Sequence, residues 1–278
     1  MKDTLKLFFI SILPLLGMFL SVDDALAQTF RPQYRTVYEL TTKAKITNMP
    51  SPDLWYLDVD TDVLRFYSYY TYRKELLKDS VLKATNNIYE TRDYIRGMRK
   101  GATDRYLFFP KEQKMLHLLG DLTKTYYEEK ISDPQWKIGT KTKMVLDYLS
   151  QEAETEHEGR SWVVYYTDEI PLPYGPWKLQ GLTGLVTEAY TTDSLFHFTL
   201  KGFEQLPKSG VQIHVIEGDY KGRRFSKKEA IEIRREMSID IAGYLELHFL
   251  EGQKPLTLPP KYREKVEELK KAYEYFEK

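Results

Sequence analysis

Strand-like segments follow one another at hairpin spacing from Tyr34 to Glu217, with one helical stretch among them. Tyr34–Ile46 alternates Tyr38, Leu40 and Thr42 with Val37, Glu39 and Thr41, the period of a half-buried strand. Val63–Tyr72 is a second strand pattern, and it puts Tyr67, Tyr69, Tyr70 and Tyr72 on both faces. Further patterns cover Arg105–Pro110, Lys114–Leu119, Lys124–Ile131, Thr142–Glu152, Arg160–Thr167, Gly184–Thr191, Leu195–Glu204 and Val211–Glu217. Parallel strands need a crossover of a dozen or more residues, and most of these gaps are shorter. The expected fold is therefore mainly β (α+β): a curved antiparallel meander sheet or half-barrel with packed helices.

The helical period appears in three places. Between Arg73 and Met98 the apolar positions Leu77, Val81, Ala84, Ile88, Ile95 and Met98 are mostly three or four apart, which predicts an inserted helix near 73–100 closed by Gly101. Ser226-Lys227-Lys228-Glu229 is a capping box, in which the Ser oxygen and the Glu carboxylate satisfy each other's backbone N–H. Behind it Ala230, Ile233, Met237 and Ile241 form a stripe. Pro259-Pro260 then opens a segment with Tyr262, Val266, Leu269, Tyr273 and Phe276 on one face. Residues 28–225 are thus expected to be an antiparallel β domain, and 226–278 a helical C-terminal extension packed on it.

The first 27 residues look like an export signal. Lys2 and Lys6 precede a 14-residue apolar run, Leu7–Leu20, and Ala25-Leu26-Ala27 supplies a cleavage pattern. The run is shorter than the ~20 residues a membrane-spanning helix needs. Cleavage before Gln28 would leave 251 of the 278 residues, exported and not integral to a membrane. Forty-one Lys and Arg balance forty-one Asp and Glu, so charge gives no case for nucleic acid or an anionic membrane surface. Without cysteine there is no disulfide, thiolate metal site or cysteine nucleophile.

One segment carries a family resemblance. Tyr166-Thr167-Asp168-Glu169-Ile170-Pro171, Gly175-Pro176-Trp177-Lys178 and Gly181-Leu182-Thr183-Gly184-Leu185-Val186 follow one another within residues 158–188. This resembles the GLPGLI family of exported Gram-negative envelope proteins, whose hallmark is WYT-x-EIP-x-x-x-GP-x-K-x-x-GLPGLI. Four of the six positions of the naming hexapeptide match, with Thr183 for Pro and Val186 for Ile. Asp133-Pro134-Gln135-Trp136-Lys137-Ile138 is similar to the family's W-K-I strand. Tyr148-Leu149-Ser150-Gln151 stands where family members commonly carry a cysteine, and the C-terminal helices look like an addition. The resemblance implies a periplasmic or outer-membrane-associated location; the family has no established biochemical activity.

Pro171, Pro173 and Pro176 remove donors, so Glu169–Lys178 is expected to be a loop rather than a ladder strand. Gly175, Gly181 and Gly184 suggest positive φ or close backbone approach, with Leu182 and Leu185 plugging a core. The same loop offers a ligand mouth of Tyr174, Trp177 and Lys178. His197 and His214 each lie between apolar residues and point to the opposite face; if paired strands align them, the two imidazoles could hold a metal with Glu204 or Glu217 near enough to help. No metal-binding spacing supports a site there, so no metal or cofactor is assigned. Asp58-Val59-Asp60-Thr61-Asp62 begins like a calcium loop but lacks the EF-hand Gly and Glu, with Val63 and Tyr69 in their places. No nucleophile elbow or phosphate loop is present.

The sequence favours a non-catalytic binding or carrier module for a hydrophobic small molecule or an envelope protein partner. The rival readings are a periplasmic hydrolase, with or without a metal, and an accessory subunit of an outer-membrane transporter.

Overall fold

The computed structural model describes residues 31–44, 49–120, 125–207, 223–250 and 252–276. The expected leader and the Val211–Glu217 strand lie outside these residues. Eleven strands are described: β1 (Tyr34–Thr42), β2 (Asp53–Val59), β3 (Leu64–Ser68), β4 (Arg105–Phe109), β5 (Lys114–Leu118), β6 (Tyr126–Lys130), β7 (Lys137–Val145), β8 (Tyr148–His157), β9 (Arg160–Thr167), β10 (Leu185–Thr191) and β11 (Phe196–Gln205). They form one mainly β, antiparallel open sheet in the order β6-β5-β4-β3-β2-β1-β11-β10-β9-β8-β7. The chain lays down one meander from β1 to β6 and another from β7 to β11. A single long-range pairing, β1 with β11, joins them.

Period-2 patterning puts one row of side chains from every strand on the same face. Leu57, Phe66, Tyr106, His117 and Tyr127 are successive cross-strand partners from β2 to β6. Ala153, Val164, Ala189, Phe198 and Leu40 do the same from β8 to β1. All ten are fully buried. The sheet curls around this face: Phe66 on β3 and Phe198 on β11 bring their ring centroids to 6.1 Å, although three strand spacings of about 4.8 Å separate them.

The helical stretch starts earlier than the sequence pattern suggests and is broken. β3 ends at Ser68, and α1 (Tyr69–Thr85) begins at once, so Tyr69, Tyr70 and Tyr72 are helical rather than part of a strand. Tyrosine's strand preference and the local alternation hid this junction. Buried Asp53 accepts from the Ser68 hydroxyl at 3.0 Å and from the Ala102 N–H at 2.8 Å, and so ties strand end, helix start and return chain together. Asn86 adopts φ +49, ending α1, and Asn87 caps α2 (Ile88–Arg96) by accepting from Tyr89 and Glu90 N–H. Gly97, not Gly101, follows that helix.

Among the described residues, the C-terminal extension contains three helices rather than two. α3 (Lys227–Ile239) opens with both halves of the Ser226–Glu229 capping box. Asp240 then breaks the run, accepting from Gly243 N–H to cap α4 (Ile241–Phe249). α5 (Tyr262–Ala272) is followed by extended residues that enter the core. Arg223–Phe225 run along the free side of β6: Tyr126 N–H donates to Arg223 O and Phe225 N–H to Tyr126 O. Among the described residues, β7 has no strand on its outer side. No helix among them is long and apolar enough to cross a membrane.

Candidate functional site

The Pro- and Gly-rich segment folds as a loop buttressed from both sides. Leu185 N–H donates to Ile170 O at 3.0 Å, Val186 N–H to Tyr174 O at 3.0 Å and Gly181 N–H to Pro173 O at 2.9 Å. A Cβ on Gly184 would sit 1.9 Å from Thr167 O, and one on Gly175 2.3 Å from Leu179 O. Gly181 adopts φ +89. Ile170, Leu182 and Leu185 insert into the core, Pro171 is exposed and Pro176 buried, and Glu169 accepts from Leu149 N–H at 3.1 Å.

Tyr174, Trp177 and Lys178 do not line an open mouth. Tyr174 is half-buried, and burial raises its phenol pKa. Trp177 is 2% exposed and held at φ +55, a region costly for a residue with a side chain. There its ring packs on Trp162 at 5.7 Å and on Phe276 at 5.3 Å. Lys178 is 3% exposed and bridges Glu129 (2.5 Å) and Glu158 (2.8 Å). Lys227 of α3 reaches the same two carboxylates. Burial opposes ionisation of Glu158, but the two ammonium groups outweigh it and hold its pKa down to about 2.

What Trp177 faces is the chain's own C-terminal segment. Phe276 is fully buried against Trp177, Phe196 and Phe198. Arg160, the first residue of β9, donates through Nε to the main-chain carbonyls of Tyr275 (2.8 Å) and Phe276 (3.1 Å), and through Nη2 to Glu274 (2.5 Å) and again to Tyr275 O. Its Nη1 meets Asp193 at 2.9 Å. The rigid guanidinium fork suits several acceptors at once. Tyr275 shares a 2.7 Å hydroxyl contact with Tyr106.

A polar cluster lies beneath Tyr275. Its ring stacks under Arg234 of α3 (4.0 Å), and Arg234 pairs with buried Asp104. His117 Nε2 lies 3.0 Å from Asp104 and its Nδ1 3.0 Å from the Tyr127 hydroxyl. Burial, then the positive charge of Arg234, pushes the His117 pKa well below 6.5. Desolvation opposes the charge on Arg234, yet Asp104 more than restores it. Sequence reasoning missed this cluster, because Arg234 occupies the face expected for Ile233 and Met237. Arginine four residues after Ala230 has no local mark of burial.

The opposite face of the sheet carries a second polar arrangement. Glu188 and His197 are diagonal neighbours on β10 and β11, with Glu188 Oε1 2.6 Å from His197 Nε2. Lys143 on β7 pairs with the other Glu188 oxygen, and burial together with Lys143 and Lys201 lowers the His197 pKa. A cavity of about 380 Å³ opens here, lined among others by Thr41, Thr42, Glu188, Tyr190, Ser194 and His197. The sequence offered Glu204 or Glu217 as helpers to a metal held by His197 and His214; strand register instead sets Glu188 against His197. His214 lies outside the described residues, and among those described no three His, Asp or Glu side chains gather to hold a metal ion.

The calcium-like run splits across the sheet. Asp58 is buried, bound by Arg35 (2.6 Å) and the Tyr67 hydroxyl (2.6 Å), so it does not share a loop site with Asp60 and Asp62.

The β7–β8 hairpin ends in an apolar tip. Met144 and Leu149 are directly paired, and with Leu146 at the turn they are 59%, 57% and 48% exposed.

No family model and no curated protein matches the chain. Among solved structures it is similar to PNGF-II in two crystal forms. In space group P21 the identity is 14% and the TM-score 0.49, with 73% of this chain and 34% of that chain covered. In space group C2 the identity is 13% and the TM-score 0.49, with 73% and 33% covered. The chain thus spans about a third of the length of PNGF-II.

Proposed function

We propose that this chain is an exported, non-catalytic binding module of the cell envelope, of the GLPGLI type, and that it docks an envelope protein through the β7–β8 tip. The observation that carries this reading is the trio Met144, Leu146 and Leu149, three large apolar side chains about half exposed at one turn. Scattered surface leucines are ordinary, whereas a contiguous group marks an interaction surface. The core face of the sheet, where a hydrophobic cargo would ride, is filled by Trp177, Tyr275 and Phe276, which favours a protein partner over a carried small molecule. The test is native mass spectrometry of the protein purified gently from its own envelope. A complex with a second protein that Leu149→Glu with Met144→Glu abolishes supports the reading. A discrete small hydrophobic mass would restore the carrier, and a bare mature chain starting elsewhere than Gln28 would count against the export assignment.

A second reading rests on the Glu188–His197 pair, since a carboxylate-held imidazole beside an open cavity is the arrangement of a general base. It predicts turnover of ester, amide or glycoside substrates that His197→Gln and Glu188→Gln each reduce at least a hundredfold while the fold survives. No turnover by the wild type across such a panel sinks it.

A further inference from the structure

The segment that fills the core is attached in an unusual way. Residues 252–257 and 259–261 are exposed, and Gly252 stands at φ +75 with nothing within 4 Å of an added Cβ. Pro255, Pro259 and Pro260 stiffen this linker toward an extended course. Ten residues reach at most about 33 Å. Beyond it the arm regains the body at part-buried Tyr262, at buried Val266 and at the buried Tyr275-Phe276 pair. Tyr262 Oη donates to Asp240 at 2.8 Å and accepts from Ala242 N–H at 3.0 Å, Val266 is buried on α5, and Tyr275 and Phe276 enter the core. The last residues are held by Arg160 bonds to their main-chain carbonyls and by the packing of the Tyr275 and Phe276 rings.

We infer that the arm Tyr262–Phe276 is exchangeable, and that the groove formed by Arg160, Trp177, Phe196 and Phe198 accepts the same arm from a second copy of this chain. Every contact just described re-forms in the exchanged state, because the second copy presents the identical Glu274-Tyr275-Phe276. Only the linker changes its course, and it makes few contacts to lose. Exchange of an identical element is a low-cost route to a dimer. The groove in such a dimer is complete only with the partner's Phe276.

The test uses the full mature chain and a variant lacking Gly252–Lys261, in which three Cα steps, at most about 11 Å, must run back along the ~13 Å of α4 from Phe249 to the Tyr262 site at Asp240. Mass is measured in solution, and equal amounts of unlabelled and ¹⁵N-labelled protein are mixed and examined by native mass spectrometry. The shortened chain is expected to be dimeric at concentrations where the wild type is monomeric. Adding Phe276→Ala should weaken that dimer at least tenfold. Wild-type copies mixed at high concentration should yield a mixed-label dimer that Phe276→Ala removes, a readout that stands even if the shortened chain fails to fold. A shortened chain that folds as a monomer, a dimer indifferent to Phe276→Ala, or no mixed-label dimer from the wild type at about millimolar concentration overturns the inference.

Discussion

Arg160 Nε donates to the main-chain carbonyl of Tyr275 across 2.8 Å, joining positions 115 residues apart. A strand residue thereby holds backbone of the C-terminal segment, and the side chain that does so is almost wholly buried.

Arg160→Ala should cost about 2–4 kcal/mol, because charge-assisted bonds are lost and the Tyr275 and Phe276 carbonyls are left without donors. Asp193 and Glu274 are partly exposed and rehydrate, which keeps the loss from being larger. Chemical denaturation measures the total. Amide exchange should rise first at residues 273–276; uniform loss of protection across β9 would show that Arg160 serves the sheet instead.

His117 makes stability depend on pH. Its folded pKa lies well below 6.5, so the unfolded chain takes up a proton that the folded chain refuses. Stability therefore falls as pH drops below about 6.5 and is unaffected above it, by about 1.4 kcal/mol per pH unit at full slope. Asp53 works the other way, since burial raises its pKa to about 6 and the folded state gains protons first. Comparing wild type with His117→Gln cancels Asp53. The difference between the two curves should be flat above pH 7 and should slope below 6.5; parallel curves throughout would remove His117 as the cause.

Gly184→Ala places a Cβ 1.9 Å from a backbone oxygen, and backbone cannot swing aside as a side chain can. A loss of about 3 kcal/mol or failure to fold is expected. Gly97→Ala is the control, with nothing within 4 Å of the new Cβ, and should change stability by less than about 0.5 kcal/mol. Equal melting temperatures for the two variants would contradict the packed-loop account.

Lys178→Met leaves Glu129 and Glu158 with Lys227 as their shared cation and should cost about 3 kcal/mol. Because the folded pKa of Glu158 is held down to about 2, below the ordinary carboxylate value of 4.5, its share of stability is present above pH 4.5 and lost as pH falls toward 2. In Lys178→Met the Glu158 titration, followed by NMR, should move upward; an unchanged midpoint would assign the shift to Lys227.

Local signals reached the elements that local energetics decide. The capping box at Ser226 and most of the hairpin strands were legible, because capping and period-2 burial leave their mark within a few residues; β2 (Asp53–Val59) was not, since its end reads as the calcium-like run beginning at Asp58. The Pro-Gly loop was legible as a loop for the same reason, and the close approaches at Gly175 and Gly184 bear out the reading of its glycines. The start of α1 at Tyr69 was not, since Tyr67–Tyr72 satisfies a strand pattern and the switch is imposed by Asp53 and the return chain at Ala102. The pattern Thr142–Glu152 reads as one strand, whereas the chain turns at Leu146-Asp147 between β7 and β8, and Lys137–Lys141 was missed as an edge segment with a register irregularity. The candidate sites depend on partners far away in sequence. Glu188 meets His197 through register, Trp177 is covered by Phe276, and Arg234 finds Asp104 across 130 positions. None of these is visible from spacing.

The placement of β1 at the middle of the sheet sets the order in which the molecule is completed. β1 pairs with β2 on one side and β11 on the other, Tyr34 opposite Gln205 and Thr42 opposite Phe196. A chain made from its N-terminus therefore exposes the edge of its central strand until almost the whole sheet has been synthesised. The first meander can form early from neighbouring hairpins, but it does so with an unpaired ladder where the second must dock. Nascent chains shorter than about 205 residues should thus be clients for a holding chaperone, and release should coincide with the emergence of β11.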